Sequence, residues 1–139
     1  MRLLRILPVL TYLLVLYDLL ALLGASIQLG LKTILLSITL PSGSALSLNL
    51  ADLFIVLGII GLAIEVVKAT RSAASSILDH GLSTLIFVVF LVEFIVLPAA
   101  GTPTFLILTL MALLDVITGF TVTISTARRD IAVDHFPGE

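Results

Sequence analysis

Residues 86–98 read IFVVFLVEFIVLP, an apolar run broken only by Glu93 and closed by Pro98. A run this apolar predicts a helix with no polar face. The carboxylate inside it poses a problem that recurs at Asp18, in VLTYLLVLYDLLALLG (9–24), and at Asp115, in LTLMALLDVITGF (108–120). What surrounds these acids depends on the solvent the chain is built for, and composition answers that first.

Hydrophobic residues make up 60% of the 139 residues and charged residues 12%, against roughly 45–50% and about 25% in an average soluble domain. A domain of this size cannot bury so much apolar surface in itself, whereas a lipid bilayer covers it. The net charge is −2 with no lysine- or arginine-rich patch, so a nucleic-acid partner is not expected. Absence of cysteine removes disulfides, thiol catalysis and thiolate metal sites together. The two histidines, His80 and His135, fall outside the apolar segments, which leaves no set for haem or zinc. No metal or cofactor is therefore expected.

Catalytic fingerprints are also missing. There is no HExxH, P-loop, GxSxG or dinucleotide-binding pattern. Asp79-His80, with Ser75, Ser76 and Ser83 nearby, has two members of a triad but no evident oxyanion site. It reads as a helix start beside a solvated histidine. No catalytic residue is assigned, and an enzyme is not expected.

A hydrocarbon core of roughly 30 Å takes about 20 helical residues. Four segments meet that length: about 6–27, 50–70, 80–98 and 103–126. The first, within MRLLRILPVLTYLLVLYDLLALLGAS, is longer than a signal-peptide core and contains Asp18, so it reads as a membrane helix. Asn49 is placed to cap the second segment, and Thr102-Pro103 gives the fourth an N-cap followed by proline. Arg2, Arg5, Lys68, Arg71, Arg128 and Arg129 fall on one side of this arrangement and only Lys32 on the other. That bias places both termini, including the tail 127–139, in the cytoplasm, and the expected setting is a bacterial inner membrane.

Residues 28–49 are then the one external loop of any size. Leu36, Ile38 and Leu40, then Leu46, Leu48 and Leu50, alternate with period two around Pro41-Ser42-Gly43-Ser44. This is the pattern of a β-hairpin with a four-residue loop. Its apolar face needs cover, from its own helices as a lid, from lipid headgroups or from a docked partner. The expected fold is thus an all-α single domain, a four-span antiparallel bundle with a small external hairpin between helices one and two.

Counting 1.5 Å per residue from the segment ends, Asp18, Glu93 and Asp115 share one layer from mid-membrane outward. No lysine, arginine or histidine is expected at that depth, where an uncompensated ionised acid costs at least ~2.5–3.5 kcal/mol. Four resolutions stay open: the acids are neutral; they hold a proton or cation in transit; they meet a basic group of a substrate or partner helix; or they are hydrogen-bonded structural groups served by Tyr12, Tyr17, Thr109, Thr118 and Thr121. Asp52 reads as a helix cap and Glu65 as a surface pair with Lys68 three residues on. Ala51, Gly58, Gly61 and Glu65 form one small-residue side, and Ala112, Asp115 and Gly119 another; such sides mark close helix contacts.

The stretch DVITGFTVTISTARRD, residues 115–130, resembles the last span of small uncharacterised four-helix inner-membrane proteins of proteobacteria, a resemblance that implies a fold and no activity. A four-helix bundle with a β-rich first external loop is also similar in layout to claudin-like proteins, whose loop tryptophan and cysteine pair are absent from this chain. The expected function is a non-enzymatic accessory, assembly or oligomeric scaffold protein working by intramembrane helix packing, with itself or in a larger complex. The alternatives are a proton- or cation-coupled transport component using Asp18, Glu93 and Asp115, and a lipid- or small-molecule-binding membrane protein.

Overall fold

The computed structural model describes residues 7–23, 26–69 and 76–133. Arg2, Arg5 and Arg71, which weigh in the expected orientation, lie outside the described residues, as do Ser75 and the tail from 134. The chain is mostly helical with one two-stranded sheet. Its elements are α1 (Val9–Leu23), α2 (Ile27–Leu31), β1 (Ile34–Thr39), β2 (Ala45–Asn49), α3 (Leu50–Ala69), α4 (Ser76–Val96), a 3-10 turn (Pro98–Ala100) and α5 (Pro103–Val133).

The helix starts follow from side-chain chemistry. At α3, Asn49 Oδ1 accepts the Asp52 N–H and Asp52 Oδ2 accepts the Asn49 N–H, both at 2.9 Å. This reciprocal cap satisfies two donors that the first turn would leave orphaned. At α5, Thr102 Oγ1 accepts the Phe105 N–H at 3.1 Å, and Pro103 fills the first helical position, where its missing N–H is no loss.

Helix boundaries depart from expectation in three of the four spans; the third, expected over 80–98, is α4 over Ser76–Val96. The expected first span, 6–27, is a 15-residue α1 followed by the separate short α2; Pro8 precedes the first helical residue and accepts the Thr11 N–H through its carbonyl. At the other end α5 runs to Val133, so residues 127–133 continue the last helix instead of forming a tail. The Thr121, Thr123 and Ser125 hydroxyls each donate to the carbonyl four residues back, at 2.8, 3.0 and 2.8 Å. Bonded in this way they no longer compete with the helix for its backbone groups, and no proline or glycine intervenes to stop it.

Two helices are long and apolar enough to cross a membrane: α3, with mean hydropathy 2.5, and the Pro103–Ser125 part of α5, with 2.2. Val9–Leu23 and His80–Val96 are apolar but shorter. α5 is the central helix, packed on both α3 and α4, while α1 lies mainly on α3. The centre is aromatic. Tyr17 meets Phe54 and Phe105 edge-on, with ring centroids 5.6 and 4.8 Å apart, and Phe90 lies 5.3 Å from Phe105. All four rings are buried. Gly58 lets α3 approach α5 closely, because a Cβ there would sit 2.7 Å from Met111 Sδ and 2.9 Å from Leu108 Cδ2.

The hairpin pairs Leu36 with Leu48 and Ile38 with Leu46, placing the four apolar side chains on one face as their alternation predicts. The loop is one residue shorter than expected. The Leu40 N–H donates to the Ser44 carbonyl at 2.8 Å, leaving Pro41-Ser42-Gly43, and Gly43 takes φ +84°, a conformation that glycine adopts without a Cβ penalty. The hairpin is not a lid. All six residues of β1 are exposed, and of the apolar face Leu36, Ile38 and Leu46 are exposed while Leu48, next to α3, is half-buried.

Candidate functional site

The acids expected in one layer form two separate clusters. Toward the hairpin end, Asp18 of α1 and Glu93 of α4 face each other within hydrogen-bonding reach. They line a cavity of about 340 Å³ whose walls include Tyr17, Ala21, Leu97 and Pro98. No basic residue lines it among the described residues. Glu93 Oε2 is buried and has no hydrogen-bond partner among the described residues. An acceptor in that state carries a desolvation penalty.

Asp115 belongs elsewhere. The Ser83 hydroxyl reaches its carboxylate, and Glu65, Lys68 and His80 act on it electrostatically. Ser83 lies ten residues before Glu93 on α4, so the clusters are about 15 Å apart along the helix. The expectation that no cation stands at the depth of the acids thus fails for Asp115. The reason is the length of α5. Counting depth from Arg128 takes that residue as the inner helix end, yet it is Gly119 that lies against His80, whose ring a Cβ at Gly119 would strike. Asp115 is consequently one turn from the His80 level, with Phe120 flanking the same ring at 6.0 Å between centroids.

Glu65 is not a surface residue. Only 6% of it is exposed, and its Oε1 accepts the Val9 N–H at 2.9 Å while Oε2 faces Lys68 Nζ at 3.4 Å. A carboxylate at the start of α1 complements the unsatisfied donors and partial positive charge there. Glu65 therefore fastens the first helix to α3 at one end. The pairing with Lys68 is as the i,i+3 spacing predicts.

Tyr17 fastens the other end. Its hydroxyl lies 2.7 Å from Thr102 Oγ1 and donates to the Ala99 carbonyl at 3.1 Å. Of the side chains expected to serve the acids, Tyr17 instead holds the α4–α5 turn, and Thr109 and Thr121 donate to carbonyls of their own helix. Asp52 caps α3 and takes part in neither cluster. Two residues with clear roles, Ser83 and Thr102, had partial sequence signals: Ser83 shares a helix face with His80 at i+3, and Thr102 precedes a proline. The Asp79 side chain lies outside the described residues, and His80, expected to be solvated, is instead buried at 9% exposure against Gly119 and Phe120. Among the described residues no group of three or more histidines and acids is placed to hold a metal ion.

No family model, curated protein or solved structure matches the chain.

Proposed function

We propose that the chain is a four-span inner-membrane protein with both termini in the cytoplasm, acting without catalysis by intramembrane packing against itself or a larger complex. One observation carries this reading. In its most apolar window only 22% of α3 is buried, and 44% of that of α5. A core helix of a soluble protein has similar composition but is mostly buried. Here the exposed positions are Val56, Ile59, Ile60 and Ile64 on α3 and Leu106, Leu110, Leu114 and Ile117 on α5. An outer surface of this kind suits lipid or a neighbouring membrane helix, while the acids turn inward.

The absence of cysteine makes the topology directly testable. In bacterial cells producing the protein, a Ser42→Cys variant should react with an impermeant maleimide from outside, and Glu139→Cys only after lysis. Reaction of both from one side would refute the four-span arrangement. Size-exclusion chromatography with light scattering in detergent then tests the packing function. A protein mass of 14.8 kDa, that of one chain, with no retained partner would count against it.

The Asp18–Glu93 cavity favours a second reading, passage or binding of a proton or cation. It predicts flux in sealed vesicles that is lost in Asp18→Asn and in Glu93→Gln. Equal flux in both variants and in wild type would remove it.

A further inference from the structure

Among the described residues the sheet has two strands, so the outer edge of β1 has no partner strand. In an antiparallel pair, residues bonded to the neighbouring strand alternate with residues whose N–H and C=O point away from it. The Leu40 N–H donates to the Ser44 carbonyl, and Ile38 and Leu36 lie opposite Leu46 and Leu48. Leu40, Ile38 and Leu36 are thus the bonded set, which turns the backbone groups of Ser37 and Thr39 outward. Leu35 falls at the break in register between Ile34 and Leu36, which confines the regular edge to residues 36–40.

The chemistry of this edge limits what can cover it. Hydrocarbon does not, because lipid tails leave the polar groups of an open sheet edge unsatisfied. Water satisfies those groups but leaves Leu36 and Ile38 exposed beside them. A further β-strand serves both. The edge also lacks the devices that keep sheets apart: no charged residue lies between Lys32 and Asp52, and neither strand contains proline. β2 is less available, since Leu48 and Asn49 are half-buried where it runs into α3.

The strand fits a copy of itself. With a two-fold axis through Ile38, Ser37 exchanges both backbone hydrogen bonds with Thr39 of the other copy, and Thr39 does so with Ser37. Ile38 then meets its own counterpart at the close, non-hydrogen-bonded position, and Leu36 meets Leu40. Every apolar residue meets an apolar one on the same face, and no charges are brought together. Such self-complementarity is what a two-fold interface requires.

We infer that β1 pairs with β1 of a second copy of this chain, antiparallel about Ile38, to form one four-stranded sheet across two molecules. This rests on the packing function proposed above. Five paired residues fall far below the roughly 1,000 Å² of a stand-alone interface, so helix contacts in the membrane bring the copies together and the strands fix their orientation.

The chain has no cysteine, so single-cysteine variants of the full chain in phosphatidylcholine vesicles read the geometry. Across a non-hydrogen-bonded pair the Cα atoms are about 4.5 Å apart, within disulfide reach. Leu46 shares the apolar face, but its two copies would stand three strand spacings apart, ~14 Å. Under mild oxidation Ile38→Cys should form a covalent dimer at least about fivefold faster than Leu46→Cys, whose separation exceeds disulfide reach. Equal cross-linking of the two variants would mean face-to-face docking and overturn the inference. No cross-link in Ile38→Cys would also overturn it, leaving headgroups as the cover of the hairpin.

Charge exchange, followed by light scattering in detergent, gives an independent reading. Ile38→Lys and Ile38→Glu each set like charges opposite one another and should weaken the dimer about fivefold or more, while a mixture of the two restores it. Ile38 is 43% exposed, and an unchanged amide resonance of Gly43, whose N–H donates to the Leu40 carbonyl, reports an intact turn in both variants. An oligomer unaltered in both variants overturns the edge pairing and leaves the packing function standing. A single-chain mass for the wild type counts against the packing function, and the vesicle cross-link then decides the edge by itself.

Discussion

The Tyr17 hydroxyl and Thr102 Oγ1 are 2.7 Å apart, and this contact ties the far end of the first helix to the cap of the last. Thr102 Oγ1 also accepts the Phe105 N–H, so one hydroxyl serves both tertiary and local structure. Tyr17→Phe removes the tertiary part and is expected to lower stability by about 1–2 kcal/mol. Thr102→Val removes the cap as well and should cost roughly 1 kcal/mol more. Unfolding of both single variants and the double variant in detergent would check this, with a coupling of about 1 kcal/mol expected for residues in direct contact. Strictly additive losses would mean that the hydroxyls do not act as a pair.

Gly119 and Gly58 both allow close helix contacts, but alanine should be tolerated differently at each. At Gly58 the new Cβ meets Met111 Sδ and Leu108 Cδ2, atoms near the ends of side chains that can move aside. At Gly119 it meets the His80 ring, which is 9% exposed and flanked by Phe120. Overpacking against such a ring costs about 1–3 kcal/mol. Gly119→Ala should therefore destabilise more than Gly58→Ala in thermal unfolding, and the reverse order would contradict the packing described.

Glu65 holds the start of α1 through the Val9 N–H. Glu65→Gln keeps an acceptor oxygen at that point and loses only the ion pair with Lys68, which is itself 31% exposed at its side chain and so partly screened. Glu65→Ala leaves the helix start without its acceptor and should cost about 1–3 kcal/mol. Hydrogen exchange of the first turn of α1 would report this directly. Fast exchange in Glu65→Ala with near-normal protection in Glu65→Gln is expected; equal loss in both would mean that the ion pair, and not the Val9 contact, holds the helix start.

Local chemistry was legible in the sequence wherever it acts over a few residues. The Asn49–Asp52 and Thr102–Pro103 helix starts and the shared face of Leu36, Ile38, Leu46 and Leu48 follow from spacing alone, while the register differs from that of the expected four-residue loop. The close packing of Gly58, Gly61 and Glu65, and of Ala112, Asp115 and Gly119, on shared faces follows from spacing too. Relations between helices were not legible in the same way. The offset of α4 against α5 depends on where α5 stops, and α5 runs seven residues beyond the expected end, from 126 to Val133. That single offset separates Asp115 from Asp18 and Glu93 and sets it beside His80 and Lys68. Tyr17 could not be assigned either, since its partner lies 85 residues away in the chain.

The separation of the acids makes the final prediction. Asp18 and Glu93 face each other across one cavity, whereas Asp115 sits about 15 Å away among other partners. Two carboxyl groups in contact titrate as a pair, so that apparent values belong to both. In infrared titration of the protein in lipid, Asp18→Asn should move the carboxyl band assigned to Glu93, and Glu93→Gln that of Asp18. Asp115→Asn should leave both in place. If neutralising Asp115 shifted the Glu93 band as strongly as neutralising Asp18 does, the three acids would be acting as one group, and the two-cluster arrangement could not stand.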